Sequence, residues 1–419
     1  MTVTLTTLDS GLRVVSHRME GLKTLAAGVW VDAGSRYENL AENGISHMLE
    51  HMAFKGTERR NARAIAQEIE AVGGYLNAYT SREQTAYYAR VLEGDLPLAM
   101  DILSDILQHS TFEPAELERE RQVIVQEIGQ TLDAPEDLVF DYFQEQAYPN
   151  QPLGRTILGS ADNVRGLGRK ALQDYMAAHY HAPTMVVSVA GAVDHAALVE
   201  QATRAFGKLP PARPRALPPA QYQGGDLRVE KDLEQAHLTL GFEGVTYDDP
   251  DYFTAQVFVG ILGGGMSSRL FQEVREVRGL CYSIYAFANS YADTGLIGIY
   301  AGTSGEDLPE LVPVVVGETL ALAEDCTDEE VSRAAAQLKA GLLMSLESCS
   351  GRAEQLARHL LLYGRVVPAE EFIDRIDAID AAAVRAFAAR LFAKAKPTVA
   401  AIGPVRTLEA PDMIASRFN

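Results

Sequence analysis

His47, Glu50 and His51 stand within five consecutive residues as His-x-x-Glu-His. On an α-helix, positions i, i+3 and i+4 share a face, so both imidazoles and the carboxylate point the same way. Two histidines one turn apart can bind a single zinc ion through their ring nitrogens. A carboxylate beside them can take a proton from a water polarised by that ion. The plainer interpretation is an ordinary helix carrying two surface histidines, so a third ligand is needed to decide.

Residues 115–128 supply candidates. The stretch contains no Gly or Pro and reads as one helix, with Leu117, Val123, Ile124 and Ile128 as its apolar stripe. Glu120 and Glu127 lie two turns apart on one face. One can ligate a metal, and the other can hydrogen-bond a ligating histidine and fix its tautomer. Spacing does not say which is which. On a helix this rich in Glu and Arg, both would otherwise read as solvated charges.

The run 47–51, with Glu127 lying 76 positions after His51, resembles the inverted-motif zinc peptidases, the family of pitrilysin, insulin-degrading enzyme and mitochondrial processing peptidase. Residues 73–80 (Gly-Gly-Tyr-Leu-Asn-Ala-Tyr-Thr) and 269–275 (Arg-Leu-Phe-Gln-Glu-Val-Arg) match as well. The resemblance runs from near Thr7 to about Val405, and the length is similar to the short bacterial branch, close to the processing peptidase beta subunit. It implies one Zn2+ per chain, bound by His47, His51 and Glu127, with Glu50 as general base and Glu120 behind a ligating histidine. It also implies that Asn77 and Ala78 lie on an exposed edge strand to which a peptide adds as a further strand. Arg275 and Tyr282 match the family's substrate-binding pair, with the tyrosine hydroxyl donating to the oxyanion at the attacked carbonyl.

Bulk properties limit the alternatives. A chain of 419 residues is too long for one ordinary core. A net charge of −20 argues against nucleic acid, which requires basic patches; it permits attraction of basic peptides, and simple solubility is the plainer reading. Cys281, Cys326 and Cys349 have no C-x-x-C spacing, which fits a reducing compartment. The N-terminus has neither a basic region nor an apolar core, and no apolar run is long enough to span a membrane. A bacterial cytoplasmic location is therefore expected. A periplasmic or organellar one stays open if a presequence precedes the chain.

The proline-rich run at 207–219 divides the chain near its middle. Across it, Tyr88-Ala89 and Asp95-Leu96-Pro97 recur as Tyr300-Ala301 and Asp307-Leu308-Pro309 at a shift of 212. Pro183-Thr184 recurs as Pro397-Thr398 at 214. These echoes predict an α+β fold of two homologous domains, each a mainly antiparallel sheet packed with helices and related by internal duplication. The expected boundaries are a zinc-binding domain at 1–208, a Pro/Gly-rich linker at 209–226, and a non-metal domain at 227–419 that contributes substrate binding. Residues 27–31, 85–91, 237–242 and 295–301 read as strands. Shifting Glu127 by 214 reaches Gly341, and the counterpart of the histidine run, near 259–265, holds no histidine. The metal is thus expected in the first half and not in the second. Gly263-Gly264-Gly265 lacks the Gly-Lys-Ser/Thr ending of a phosphate loop and reads either as a glycine-rich loop like that of the processing peptidase's partner subunit or as a tight helix entry.

The resulting expectation is a zinc endopeptidase acting on peptides or flexible segments. In the long members of the family the zinc set and the Arg/Tyr pair come from distant parts of one chain. By analogy, a homodimer is expected here, with each zinc facing Arg275 and Tyr282 of a second copy. A subunit that needs a paralogous partner, forming a heterodimer, is the main alternative. A non-catalytic scaffold of the respiratory-complex core type is a further one, disfavoured because the metal motif is intact.

Overall fold

The computed structural model describes residues 3–210, 217–393 and 396–418. Residues 211–216 of the expected linker, and Met1 and Thr2, lie outside the described residues. Strands β1 (Val3–Thr7), β2 (Arg13–Arg18), β3 (Thr24–Val31), β4 (Tyr75–Thr80), β5 (Thr85–Leu92) and β6 (Met185–Gly191) form one sheet in the order β1-β2-β6-β3-β5-β4. Strands β7 (Gly225–Glu230), β8 (Ala236–Glu243), β9 (Cys281–Ser290), β10 (Gly295–Thr303) and β11 (Thr398–Gly403) form a second, ordered β7-β11-β8-β10-β9. Within each sheet one neighbouring pair is parallel, β2 with β6 and β7 with β11, and the others are antiparallel.

The topologies superpose element for element once β1 is set aside, as the internal echoes predict. Tyr88 falls on β5 and Tyr300 on β10, each next to its sheet's edge strand, while Pro183 and Pro397 each stand just before the late strand of their half. The architecture is α+β. The expected linker runs slightly too far, because Gly225 and Asp226 already belong to β7.

Helices α1 (Ile45–Ala53), α2 (Ala62–Ala71), α3 (Leu96–Gln108), α4 (Pro114–Leu132) and α5 (Pro135–Ala147) occupy the middle of the first half. Strand residues alternate between two apolar layers, as a period of two requires. On β3, Leu25, Ala27, Val29 and Val31 join the core shared with α1 to α4, whereas Ala26 and Trp30 face the helix Cys349–Tyr363 through Ala353, Leu356, Ala357 and Leu360. On β10, Ile297, Ile299 and Ala301 face one layer, and Leu296 and Tyr300 face α5 through Leu138, Val139 and Phe143. Both sheets are covered on both sides, which explains the nearly continuous apolar runs of the interior strands β3, β6 and β11.

The two compact units do not coincide with the contiguous halves. One comprises residues 1–129, 155–217 and 344–367; the other 130–154, 218–343 and 368–419. The helical segment after α4, which contains α5, packs on the second sheet, and its counterpart Cys349–Tyr363 packs on the first. Each otherwise uncovered sheet face thus receives a helix from the other half, a reciprocal exchange that no local pattern announces. Tyr148, fully buried just after α5, donates its hydroxyl to the Gly295 carbonyl and meets Thr294 Oγ1, each at 2.9 Å. Tyr148→Phe removes one of two donors to that carbonyl, Gly244 N–H remaining at 2.8 Å, and is expected to cost about 0.5–1.5 kcal/mol in denaturant unfolding. A loss below ~0.5 kcal/mol would show that the hydroxyl does not help dock the segment.

Candidate active site

Ile45, Met48, Leu49 and Met52 recur at i, i+3, i+4 and i+7 and are all buried in the first core. That stripe fixes the rotation of α1 and leaves His47, Glu50 and His51 on its other side. Gly44 caps the helix in a left-handed conformation (φ 101°) and offers no side chain. The orphan amides are instead met by buried Glu38. Its Oε2 accepts from Gly44 N–H and Asn43 Nδ2, and its Oε1 from Ser46 N–H, all at 2.8 Å. Burial raises the Glu38 pKa, against the opposing pull of these donors.

Helix α4 brings up the acidic residues. Leu117, Glu120 and Ile124 are its buried positions, with Ile128 partly buried. Val123, expected in that stripe, is instead 44% exposed: it lies a step off the face that carries Leu117, Glu120, Ile124 and Ile128. Glu127 Oε2 stands 3.6 Å from Nε2 of His47 and 3.6 Å from Nε2 of His51. Ligand atoms of the three residues lie within 4.8 Å of one another. A separation of 3.6 Å is too long for a good hydrogen bond. It is close to the ~3.4 Å edge between two ligands of a tetrahedral zinc with ~2.1 Å bonds. The donor set, two imidazoles and one carboxylate, fits zinc.

The two candidate carboxylates separate by what they touch. Glu120 Oε2 accepts from His51 Nδ1 at 3.0 Å, which places the lone pair of that imidazole on Nε2, facing Glu127. Lys55 Nζ meets Glu120 Oε1 at 2.7 Å. Burial acts to raise the Glu120 pKa, but the His51 and Lys55 contacts outweigh it and hold the group below its ordinary value. Glu50 differs: burial pushes its pKa up, and Glu127 adds to that, against Thr80 and His51. Thr80 Oγ1 donates to Glu50 Oε2 at 2.6 Å. Sequence reasoning passed over Thr80, Lys55 and Glu38. Thr80 stood inside a matched stretch, yet nothing local pairs a strand threonine with a helix glutamate.

Strand β4 is an edge, paired only with β5 among the described residues. In an antiparallel ladder alternate residues bond to the neighbour. Ser81 N–H donates to Gln84 O at 2.7 Å, and the register pairs Thr80 with Thr85. Tyr75, Asn77 and Tyr79 therefore bond to β5, while Leu76, Ala78 and Thr80 turn their backbone groups outward. Consistently, Ala78 N–H donates to Asn77 Oδ1 at 2.9 Å. Asn77 Nδ2 and the Tyr75 hydroxyl are 2.5 Å apart.

Arg275 and Tyr282 belong to the other compact unit. Arg275 lies in the π-helical turn Phe271–Val277, its guanidinium 4.6 Å from the Phe271 ring and 4.9 Å from that of Tyr282. Tyr282, the second residue of β9, is 74% exposed. Arg269, in the same stretch, binds Glu330 through two nitrogens, at 2.7 and 2.9 Å. Gly263-Gly264-Gly265 marks the end of the helix Tyr252–Gly263, not an entry. A Cβ at Gly263 would stand 2.3 Å from Ala286 N, so close packing against β9 requires glycine there.

Burial, with the nearby His51 charge, lowers the His47 pKa to about 4. The unfolded chain takes up that proton near pH 6.5. Between about pH 6.5 and pH 4 the unfolded state thus holds more protons, and stability of the metal-free chain falls as pH falls through that window. The slope expected from this residue is at most ~1.4 kcal/mol per pH unit. Denaturant unfolding in chelator should show a steeper fall in the wild type than in His47→Gln, which keeps the contributions of His17, His195 and His237, whose pKa values burial also lowers.

The model for Insulinase (Peptidase family M16) matches residues 13–161, and the model for the Peptidase M16 inactive domain matches residues 166–338. The chain is 41% identical to the mitochondrial-processing peptidase subunit beta of Homo sapiens, over 99% of this chain and 86% of that one. It is 40% identical to an uncharacterized zinc protease of Rickettsia felis, over 95% and 96%. A Helicobacter pylori protease of known structure shares the fold with a TM-score of 0.88 at 23% identity, over 96% of this chain and 99% of that one. At these identities over nearly its whole length, the chain belongs to the insulinase family of peptidases, family M16.

Proposed function

We propose that the chain is a zinc-dependent endopeptidase acting on peptides or flexible segments. The observation that carries this is the convergence of His47 Nε2 and His51 Nε2 on one Glu127 oxygen, each at 3.6 Å, with Glu50 on the same helix face. His47, His51 and Glu127 would hold one zinc. When bound, zinc supplies Lewis acidity toward a water and the scissile carbonyl. Glu50, with its raised proton affinity, takes the proton of the attacking water and returns it to the leaving amine. Thr80 holds the Glu50 carboxylate in place, and Glu120 holds the His51 ring. The outward backbone of Leu76, Ala78 and Thr80 takes the peptide as an added strand, with Asn77 beside it. The Tyr282 hydroxyl donates to the oxyanion, and Arg275 grips a nearby carbonyl.

Metal analysis tests the ligands: His51→Ala and Glu127→Ala should each lose zinc. Glu50→Gln should keep zinc while kcat falls at least ~100-fold, because the amide cannot accept the proton. Full zinc in both ligand variants, or normal cleavage by Glu50→Gln, would sink the assignment.

The active form is proposed to be a homodimer whose sites combine the metal set of one copy with Arg275 and Tyr282 of the other. The relative named as a beta subunit supports the second possibility, a heterodimer with a paralogue. Mixing a Glu50→Gln chain with a Tyr282→Phe chain should restore activity on subunit exchange. No recovery despite demonstrated exchange, or an active monomer, would reject the shared site.

A further inference from the structure

Four consecutive residues reach both parts of the first unit's site. Ser35–Tyr37 form a single 3-10 turn. Ser35 N–H donates to Ser81 O at 3.2 Å, and Arg36 N–H to Arg82 O at 2.8 Å, so this turn is bonded to the tip of the β4–β5 hairpin. Arg36 also donates to Glu83 Oε1 at 2.6 Å, in a pair whose side chains are both buried. Gly34 permits the approach, since a Cβ there would lie 2.3 Å from Ser81 O. Two residues beyond Arg36, Glu38 carries the three bonds at the start of α1. Its own carbonyl accepts from the Arg155 guanidinium.

We propose that residues 35–38 are a clamp that sets the metal helix against the substrate edge, with Glu38 and Arg36 as positioning residues for different halves of the site. Glu38 fixes the start of α1, from which His47, Glu50 and His51 project. Arg36, through Glu83, fixes the turn that follows Thr80, and so the strand that carries Ala78. The Thr80–Glu50 hydrogen bond at 2.6 Å joins the two held parts. Hydrogen-bond chemistry makes Glu38 specific. Its Oε1 accepts from Ser46 N–H and its Oε2 from Gly44 N–H and Asn43 Nδ2, so Glu38→Gln would aim an amide N–H at one or the other of these donor groups.

Different positioning duties predict different losses. In the full chain, zinc affinity is measured by chelator competition, and KM and kcat on a flexible basic peptide. Glu38→Gln should weaken zinc at least ~10-fold, the usual scale for a group that orients ligands. Glu83→Gln should leave zinc affinity within ~2-fold yet lower kcat/KM at least ~10-fold, chiefly through KM, because the peptide edge is misplaced. Val189→Ala, a core change remote from the clamp, serves as the stability control. If either variant fails to fold, Asn43→Ala replaces Glu38→Gln and the double change Arg36→Met with Glu83→Met replaces Glu83→Gln. Parallel loss of zinc affinity and KM in both variants, or losses no larger than in Val189→Ala, would overturn the clamp. The inference rests on the peptidase reading. A wild-type chain that binds no zinc removes both, whereas wild-type binding and cleavage with parallel variant losses removes the clamp alone.

Discussion

Helix α1 has little freedom to rotate. Ile45, Met48, Leu49 and Met52 fill the first core without remaining exposure of more than a trace. Turning the helix by one residue position would pull large side chains from a close-packed interior, at ~1.5–3 kcal/mol for each one exposed. The apolar stripe thereby aims the opposite side, and His47, Glu50 and His51 inherit their direction from residues that do no chemistry. Helix α4 obeys the same logic: Leu117 and Ile124 bury its inner face and bring Glu120 and Glu127 to the histidines.

The second half repeats the architecture and not the chemistry. Its counterpart of α1, Tyr252–Gly263, buries Phe253, Ala255, Val257, Phe258, Val259, Ile261 and Leu262. A helix enclosed on nearly every side has no open face on which imidazoles could stand solvated or metal-bound, and burying them unpaired would be costly. Gly341, the position that echoes Glu127, offers no side chain at all. Duplication preserved the sheet order and the helix exchange, whose benefit is apolar burial. The candidate metal ligands depend on one helix face that the core does not claim, and they stand in the first half.

Much of this was legible in the sequence because the signals are periodic or short. The His-x-x-Glu-His spacing reports a shared helix face, Glu120 and Glu127 a second one, and the four strand segments fall where they were expected. What escaped detection is long-range. Cys349–Tyr363 and α5 each look like ordinary amphipathic helices, and nothing within them says which sheet they cover. Thr80 and Glu50 are thirty residues apart, and Arg36 and Glu83 forty-seven. Such pairs are set by tertiary packing, which local pattern does not encode. The misplacement of Val123 has a smaller cause: a stripe drawn on a helix with 3.6 residues per turn can slip by one position when its polar face is also crowded.

Besides Glu127, three carboxylates stand on or against α1, and their partners sort them. Glu38 is the most enclosed and receives three N–H donors, all neutral; these do not fully offset its burial, and its proton affinity stays raised. Glu120 is also buried, yet it touches Lys55 and His51, and that is enough to hold it ionised, as a group that orients an imidazole must be. Among the described residues, Glu50 meets the Thr80 hydroxyl and no cation at contact. A single neutral donor fixes its direction without quenching its basicity. Of the three, it alone joins a raised proton affinity to a place beside His47 and His51, the position that the proposed general base requires.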